Sequence, residues 1–389
     1  MMSLQIRSRR FRIAALTLIL LTFVLLSFTA GGLSARTRPL DGERLTVGDI
    51  ESLGVVTFET GFEFAGTEVG GLSGIAFDSR RDVYYVVADD RDDPRYYTVD
   101  IDLGTDGRLD DGDVTFVDVT FLRDRRNVPF PPGFVDAESI DLLRHSSLFI
   151  SSEGDVGAGI DPFVNRFNLA GKLAGRLPVP DKFLLGGSNQ INDNLAFEGL
   201  AITPNQRFLY TATENALAED GPIATLTDSS PSRLLEYNLS RRRPDREFVY
   251  IVSPIPVDSD PPGEFADNGM SELESLDNHG TFLAMERSFA VGVGNTVRLF
   301  ETSIEGATDV SEFEVLPPSG QYEPMSKMLV ADFESDLGID PDNLEAMRFG
   351  PTLADGRQLL IVVSDNNFNP TQITQFIALA VELEPVADD

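Results

Sequence analysis

One hairpin plan returns five times along this 389-residue chain, and any fold it adopts must house all five copies in equivalent settings. The copies read GLSGIAFDSRRDVYYVVADD (71–90), AESIDLLRHSSLFISSEG (137–154), FEGLAITPNQRFLYTATEN (197–215), SELESLDNHGTFLAMERS (271–288) and LEAMRFGPTLADGRQLLIVVSDNN (344–367). Each is a short apolar strand opened by a polar or acidic residue, a turn of Asp, Asn, Gly, Pro or Ser, and a β-rich strand closing on Asp or Glu. A third strand follows every copy (RYYTVDIDL, VNRFNLAG, RLLEYNLS, TVRLFETSI, TQFIALAVEL). A fourth follows the first four copies (DVTFVDVTFL, GRLPVPDKF, REFVYIVSP, KMLVADF).

Four antiparallel strands per unit, repeated around an axis, make an all-β propeller. The last unit lacks its fourth strand, and LGVVTFETGFEF (53–64) supplies it, so strands from both termini close the ring and protect the sheet edges. Five blades are counted, in a domain expected over residues 45–385. The copies lie about 60 to 75 residues apart, against roughly 40 to 50 in compact propeller repeats, so the connecting loops are long. The stretches 216–231 and 303–328 leave room for a sixth, degenerate blade. A two-sheet sandwich is the rival architecture, but it leaves the recurring terminal carboxylates unexplained.

In a propeller the first strand of each blade lines the central channel and the second runs antiparallel beside it. The residue opening strand one and the residue closing strand two therefore share one face of the disc. Glu138 with Glu153, Ser73 with Asp89, Glu198 with Glu214 and Glu272 with Glu286 are so paired, and Glu345 with Asp365 more loosely. In the fourth copy Glu274 competes with Glu272 for the repeat position. The expectation is a crowd of carboxylates at one channel mouth. Crowded like charges raise one another's pKa and oppose folding unless something positive sits among them. A hard dication suits carboxylates mixed with Asn215, Asn366 and Asn367, while Arg91, Arg287 and Lys327 offer fixed positive charge. The structural alternative is that each Glu accepts hydrogen bonds from a nearby turn.

Composition narrows the chemistry. With 63 acidic against 31 basic residues and a formal charge of −32, the chain repels polyphosphate backbones and anionic lipid, so nucleic acid and membrane surfaces are excluded as partners. No Cys and only two His, His145 and His279, rule out thiolate nucleophiles and disulfides and starve a Ser-His-Asp scheme of its base. Oxygen ligands remain, which favours Ca²⁺ or Mg²⁺ over zinc. DLGTDGRLDDGD (102–113) lacks EF-hand spacing and reads as a hairpin turn. RRRPDR (241–246) reads as a solvated tip.

At the amino terminus, Arg7, Arg9, Arg10 and Arg12 precede the apolar run IAALTLILLTFVLLSFTA, with Ala30 and Gly32 at peptidase-like positions. Residues 1–35 are expected to be a signal peptide or an uncleaved membrane anchor, the run being close to the roughly 20 residues a span requires. Either places the body outside the cytoplasm, secreted or periplasmic.

The motifs GLSGIAFD…YYVVADDR, DAESI…LFISSEG, FEGLAITPNQRFLYTATEN, MSELESL…FLAMERSF, GNTVRLFE and DNLEAMRFGP…LLIVVSDNNFNPTQITQFIAL, taken in order, resemble the phytase-like family, described as having esterase-like activity of phytase. The resemblance runs from about Gly70 to Leu383 and implies an exported propeller with ester hydrolysis. It marks Glu138, Glu153, Glu198, Glu214, Glu272, Glu286, Arg287, Glu345, Asp365 and Asn366, and the chain departs from the family's apolar habit at Glu274. The expected activity is that of a calcium-dependent phosphoesterase, with phytate or another phosphomonoester as the small anionic substrate. The metal set is Glu138, Glu153, Glu198, Glu214, Glu286, Glu345, Asp365, Asn366 and Asp89; the catalytic set is Glu198, Glu272, Arg287 and Lys327. The rivals are a calcium-dependent lactonase or carboxylesterase, and a non-catalytic binding or scaffold propeller. A monomer is expected.

Overall fold

The computed structural model describes residues 42–386 apart from Asp106. They belong to one compact unit, 36–389; the other unit, 1–35, lies outside them, and the signal or anchor expectation with it. After a long strand β1 (Leu45–Glu59) and a small hairpin of β2 (Glu63–Phe64) and β3 (Thr67–Glu68) come four blades in strict succession. Blade 1 is β4 (Leu72–Asp78), β5 (Val83–Ala88), β6 (Arg95–Ile101) and β7 (Val114–Phe121). Blade 2 is β8 (Ala137–Leu143), β9 (Ser147–Ser152), β10 (Phe163–Asn168) and β11 (Leu173–Arg176), followed by a 3₁₀ turn at Asp181–Phe183. Blade 3 is β12 (Phe197–Ile202), β13 (Phe208–Ala216), β14 (Ser230–Asn238) and β15 (Arg243–Val252). Blade 4 is β16 (Ala266–Ser275), β17 (Thr281–Ala290), β18 (Gly294–Ser303) and β19 (Ser326–Asp332). Blade 5 is β20 (Leu344–Thr352), β21 (Gln358–Ser364) and β22 (Ile373–Pro385), with β1 as its outer strand.

The ring therefore closes by an amino-terminal strand pairing with the carboxy-terminal one, from Leu45 opposite Pro385 to Glu59 opposite Ile373. There are five blades. The stretches held open for a sixth are loops: 217–229 and 304–325 carry no strand.

First strands pack on one another in sequence, β4 on β8, β8 on β12, β12 on β16, β16 on β20 and β20 back on β4, which sets them around the axis. Each interface between neighbouring blades owns one apolar cluster. Ile75, Val86 and Ile361 sit between blades 5 and 1, Val87, Ile140 and Ile150 between 1 and 2, and Phe149, Phe197 and Leu235 between 2 and 3. Tyr210, Phe282 and Ala284 sit between 3 and 4, and Leu283, Met347 and Val362 between 4 and 5. Inner strands are thus buried on both faces and read as unbroken apolar runs, VYYVVA in β5 and QLLIVVS in β21. The edge strand β7, VTFVDVTF, alternates instead at its start, because one face meets solvent.

Candidate functional site

The site is built by one backbone device used five times. In each blade the pairing of strands one and two slips by a residue at the same place, just after Leu72–Ala88, Ala137–Ser152, Phe197–Thr213, Met270–Glu286 and Leu344–Ser364. A bulge of this kind re-aims the extra side chain. The slip falls on Ser73, Glu138, Glu198, Ser271 and Glu345. The residue after the paired position on strand two is Asp89, Glu153, Glu214, Arg287 or Asp365. Its backbone N–H is held by the carbonyl just before strand one in four blades: Asp89 by Gly71, Glu153 by Asp136, Glu214 by Ala196 and Asp365 by Asn343. In blade 4 Arg287 stands opposite Gly269 at the matching place.

These two rings interact as one cluster. Burial first, then the charges of Glu198, Glu153, Asp136 and Asp89, push the Glu138 carboxyl well above its usual range. Burial with Glu214, Glu153 and Glu345 does the same to Glu198, and burial with Asp89 and Glu345 to Asp365. Glu153 is raised by burial and Asp136. Asp89 and Glu214 are each pushed up to about 7, chiefly by burial. Against these stand two guanidinium groups. Arg287 lies 3.3 Å from Glu345, 3.5 Å from Asp267 and 3.7 Å from Glu214. Burial alone would lower its pKa, but Glu345, Glu214, Asp267 and Glu198 more than offset this and hold it charged. Arg91 pairs with Asp136 and lies 3.6 Å from Glu153.

Asp136, Glu138 and Glu153 each bring one carboxylate oxygen within 4.8 Å of the others. Glu153 is buried, yet among the described residues its Oε2 has no hydrogen-bond partner, and neither does Asp89 Oδ1. Ionising a buried carboxyl whose charge is only partly offset costs several kcal/mol, more than the roughly 1–3 kcal/mol of a missing neutral hydrogen bond. Oxygen donors with open valence, gathered this closely, fit a hard cation such as Ca²⁺. Glycines make room for them. A Cβ on Gly269 would lie 2.2 Å from Glu214 Oε1, and one on Gly71, at φ +62°, 1.9 Å from Asp89 Oδ1.

Beside the ring, over blades 3 to 5, opens a cleft of about 1130 Å³ with Glu214, Asp267, Arg287, Asn343 and Glu345 on its polar side. Ile223, Val257, Phe265 and Val293 also line it and are exposed, giving the cleft an apolar lip.

The fourth blade departs from the expected register. Neither Glu272 nor Glu274 occupies the bulge; Ser271 does, and Arg287 rather than Glu286 closes strand two. One extra backbone residue reverses which side chains face the channel mouth. Glu272 lies at the place held elsewhere by Gly74, Ser139, Gly199 and Ala346, and accepts from Leu200 N–H (2.9 Å), Leu273 N–H (2.8 Å) and Ser139 O–H (2.8 Å). Burial pushes its pKa up to about 8. Glu286 accepts from the Tyr250 hydroxyl (3.0 Å) and Ser253 N–H (3.1 Å) and pairs with Lys327, off the ring. Lys327 also donates to Ile251 O (2.8 Å). The structure thus leaves Glu272, Glu286 and Lys327 outside the mouth cluster. Glu274 is deeper still, 3.0 Å from Arg348, which also holds Asp141 at 2.9 Å. Asp136, just ahead of β8, and Asp267, at the start of β16, are further cluster members; their signal is an Asp a few residues before the bulge, in VDAESI and FADNGMS. Ser73 and Ser271 donate to the carbonyls of Ala137 and Leu344 in the next blade (2.6 and 3.3 Å), so where the ring lacks Glu it gains a staple between blades.

A model of the phytase-like family, described as having esterase-like activity of phytase, matches residues 67–368. The chain belongs to that family. No curated protein matches this phytase-like sequence. Solved structures similar to it include an endo-arabinase from Bacteroides thetaiotaomicron (11% identity, covering 83% of this chain and 96% of that one, TM-score 0.40). Others are a luciferin-regenerating enzyme (12%, 86% and 98%, 0.39) and a gluconolactonase from Xanthomonas campestris (12%, 79% and 71%, 0.31). At that level of likeness they bear on neither chemistry nor substrate.

Proposed function

We propose that this phytase-like propeller is an exported, calcium-dependent ester hydrolase working at the channel mouth, with phosphomonoesters as its leading substrate class. The observation that supports the reading is the close approach of Asp136, Glu138 and Glu153 in blade 2, crowded by carboxylates of neighbouring blades, with buried oxygens that find no hydrogen-bond donor among the described residues. Asp136, Glu138 and Glu153 would hold the ion, with Glu198, Asp89 and Asp365 completing its surroundings. Calcium there would screen the acidic field and polarise a phosphoryl or acyl oxygen. Glu214, raised to about 7 on the cleft wall, is poised to take a proton from water near neutral pH. Arg287, fixed among three carboxylates, would steady negative charge developing on the substrate. Export is part of the proposal and rests on the basic and apolar character of residues 1–35.

A second reading has its own support. The apolar lip of Ile223, Val257, Phe265 and Val293, with one arginine in the cleft, suits a carboxylic ester or lactone as well as a phosphate. Assaying phosphomonoester, carboxylester and lactone cleavage with calcium and with EGTA separates the two. Cleavage of any class that needs calcium and is lost in Glu214→Gln supports hydrolysis; cleavage indifferent to both, or none at all, refutes it.

A further inference from the structure

The opposite end of the hairpins carries a feature the acidic mouth does not use. Between the turn ends of blades 2 and 3 lies a pocket of about 560 Å³ lined by Arg125, Arg144, Arg166, Arg176, Arg207 and Arg242. These are six of the 31 basic residues of a chain with formal charge −32, and among the described residues no carboxylate lines the pocket. Like charges gathered around one pocket repel one another, so the arrangement calls for an anion.

Two local observations indicate that the pocket is built. Arg144 and Arg242 hold φ of +52° and +54°, and Gln206, which also lines the pocket, +58°. The strand-one to strand-two turns of blades 4 and 5, which match those of Arg144 and Gln206, place Gly280 and Gly356 at positive φ, while blade 1 places the short Asp82 there; a side chain at such a position costs roughly 1–2 kcal/mol. Keeping long polar side chains there, against that cost, aims them at the pocket. Its two walls are also joined: Arg144 N–H donates to Gln206 Oε1 at 2.8 Å, tying the blade 2 turn to the blade 3 turn. Leu143, Phe149, Leu177 and Leu239 add an apolar lining.

We propose that this pocket binds a compact, soluble polyanion carrying several phosphate or sulfate groups, at a site separate from the channel mouth. Guanidinium forks match the paired oxygens of such groups, and the volume lies in the usual range for a small ligand. The proposal is independent of the hydrolase reading.

The test is calorimetric titration of the full chain with tripolyphosphate in excess EDTA, where the cation-free mouth repels anions. The same titration is repeated with orthophosphate and with phosphatidylglycerol vesicles. Tripolyphosphate should bind at least tenfold more tightly than orthophosphate. The variant combining Arg144→Asn, Arg207→Gln and Arg242→Asn should lose at least tenfold, with an undiminished melting temperature because Asn tolerates the left-handed turn. Absence of tripolyphosphate binding, equal binding by the variant, or binding to vesicles in place of tripolyphosphate would overturn the proposal.

Discussion

Arg233 and Lys182 sit buried among Asp220 and Glu247 near the outer strands of blade 3, while Arg287 and Arg91 sit among the carboxylates of the channel mouth. In the first cluster, Arg233 Nε donates to Asp220 (2.6 Å), Nη1 to Glu247 and Phe313 O (both 3.0 Å), and Nη2 to Asp220 (3.0 Å). Lys182 donates to Glu247 (3.3 Å) and to the carbonyls of Ser311 (2.7 Å) and Phe313 (2.8 Å). Charges balance, and the long 304–325 loop is pinned by them. At the mouth, among the described residues, acids far outnumber the two guanidinium groups, and Glu153 Oε2 and Asp89 Oδ1 have no hydrogen-bond partner. Identical chemistry has been completed internally in one place and left open in the other, which separates a device that holds a loop from one that waits for a cation.

Breaking the balanced cluster should give the largest effect. Arg233→Met leaves Asp220 buried without its cation and Glu247 with Lys182 alone, and should cost about 3–5 kcal/mol in urea denaturation. In the metal-free protein Glu198→Gln should do the reverse and stabilise, since it removes a carboxyl that burial and neighbouring acids make costly to ionise. Losses of equal sign in the two variants would erase the contrast. Next comes the cation itself. Calcium at about 100 times its Kd should add about 2.7 kcal/mol to the wild type, read as a rise in Tm, and should add nothing when Glu138→Gln and Glu153→Gln are combined. Gly269→Ala, which drives a Cβ toward Glu214, should cost about 1–3 kcal/mol and weaken calcium binding at the same time.

The pH dependence sharpens the comparison further. Glu138, Glu153, Glu198 and Asp365 have folded pKa values above their unfolded ones, as do Asp89 and Glu214, which reach about 7. Between the unfolded value and pH 7 the folded, metal-free protein binds more protons than the unfolded chain, so its stability falls as pH rises through that window. Each excess proton is worth about 1.4 kcal/mol per pH unit. Glu214→Gln should flatten the slope by about that much, and a chelated wild type whose Tm rises from pH 5 to pH 7 would contradict proton uptake by the mouth as the cause. The smallest effect is expected at the lip. Phe265→Ser should raise KM for an ester with an apolar group by a few fold and leave kcat unchanged, as loss of ground-state contact predicts.

The blades were legible in the sequence because their signal is periodic. Apolar runs such as VYYVVA and LLIVVS, turns at fixed places and a third strand after every hairpin point to one architecture. The orphan strand before the first copy located the closure of the ring, although it starts earlier, at Leu45, and ends at Glu59. What could not be read was the bulge. Ser271 and Arg287 have no composition in common with Glu198 and Glu214, and only the backbone pairing shows that they share a position. Matching Glu to Glu in MSELESL therefore selected Glu272 and Glu286, one residue out of register on each strand. Asp136 and Asp267 escaped for a different reason: they come before the repeated hairpin motifs, Asp136 just ahead of β8 and Asp267 at the start of β16, where an Asp reads as ordinary loop chemistry.

Calorimetric titration of the full chain with calcium at pH 7.5, beside Glu153→Gln, addresses the open carboxylate cluster most directly. Saturable binding that Glu153→Gln abolishes, in a variant that keeps its fold, is the result expected. A wild type that takes up no calcium, or takes it up equally well after Glu153→Gln, would mean that the buried acids at the mouth are not a cation site.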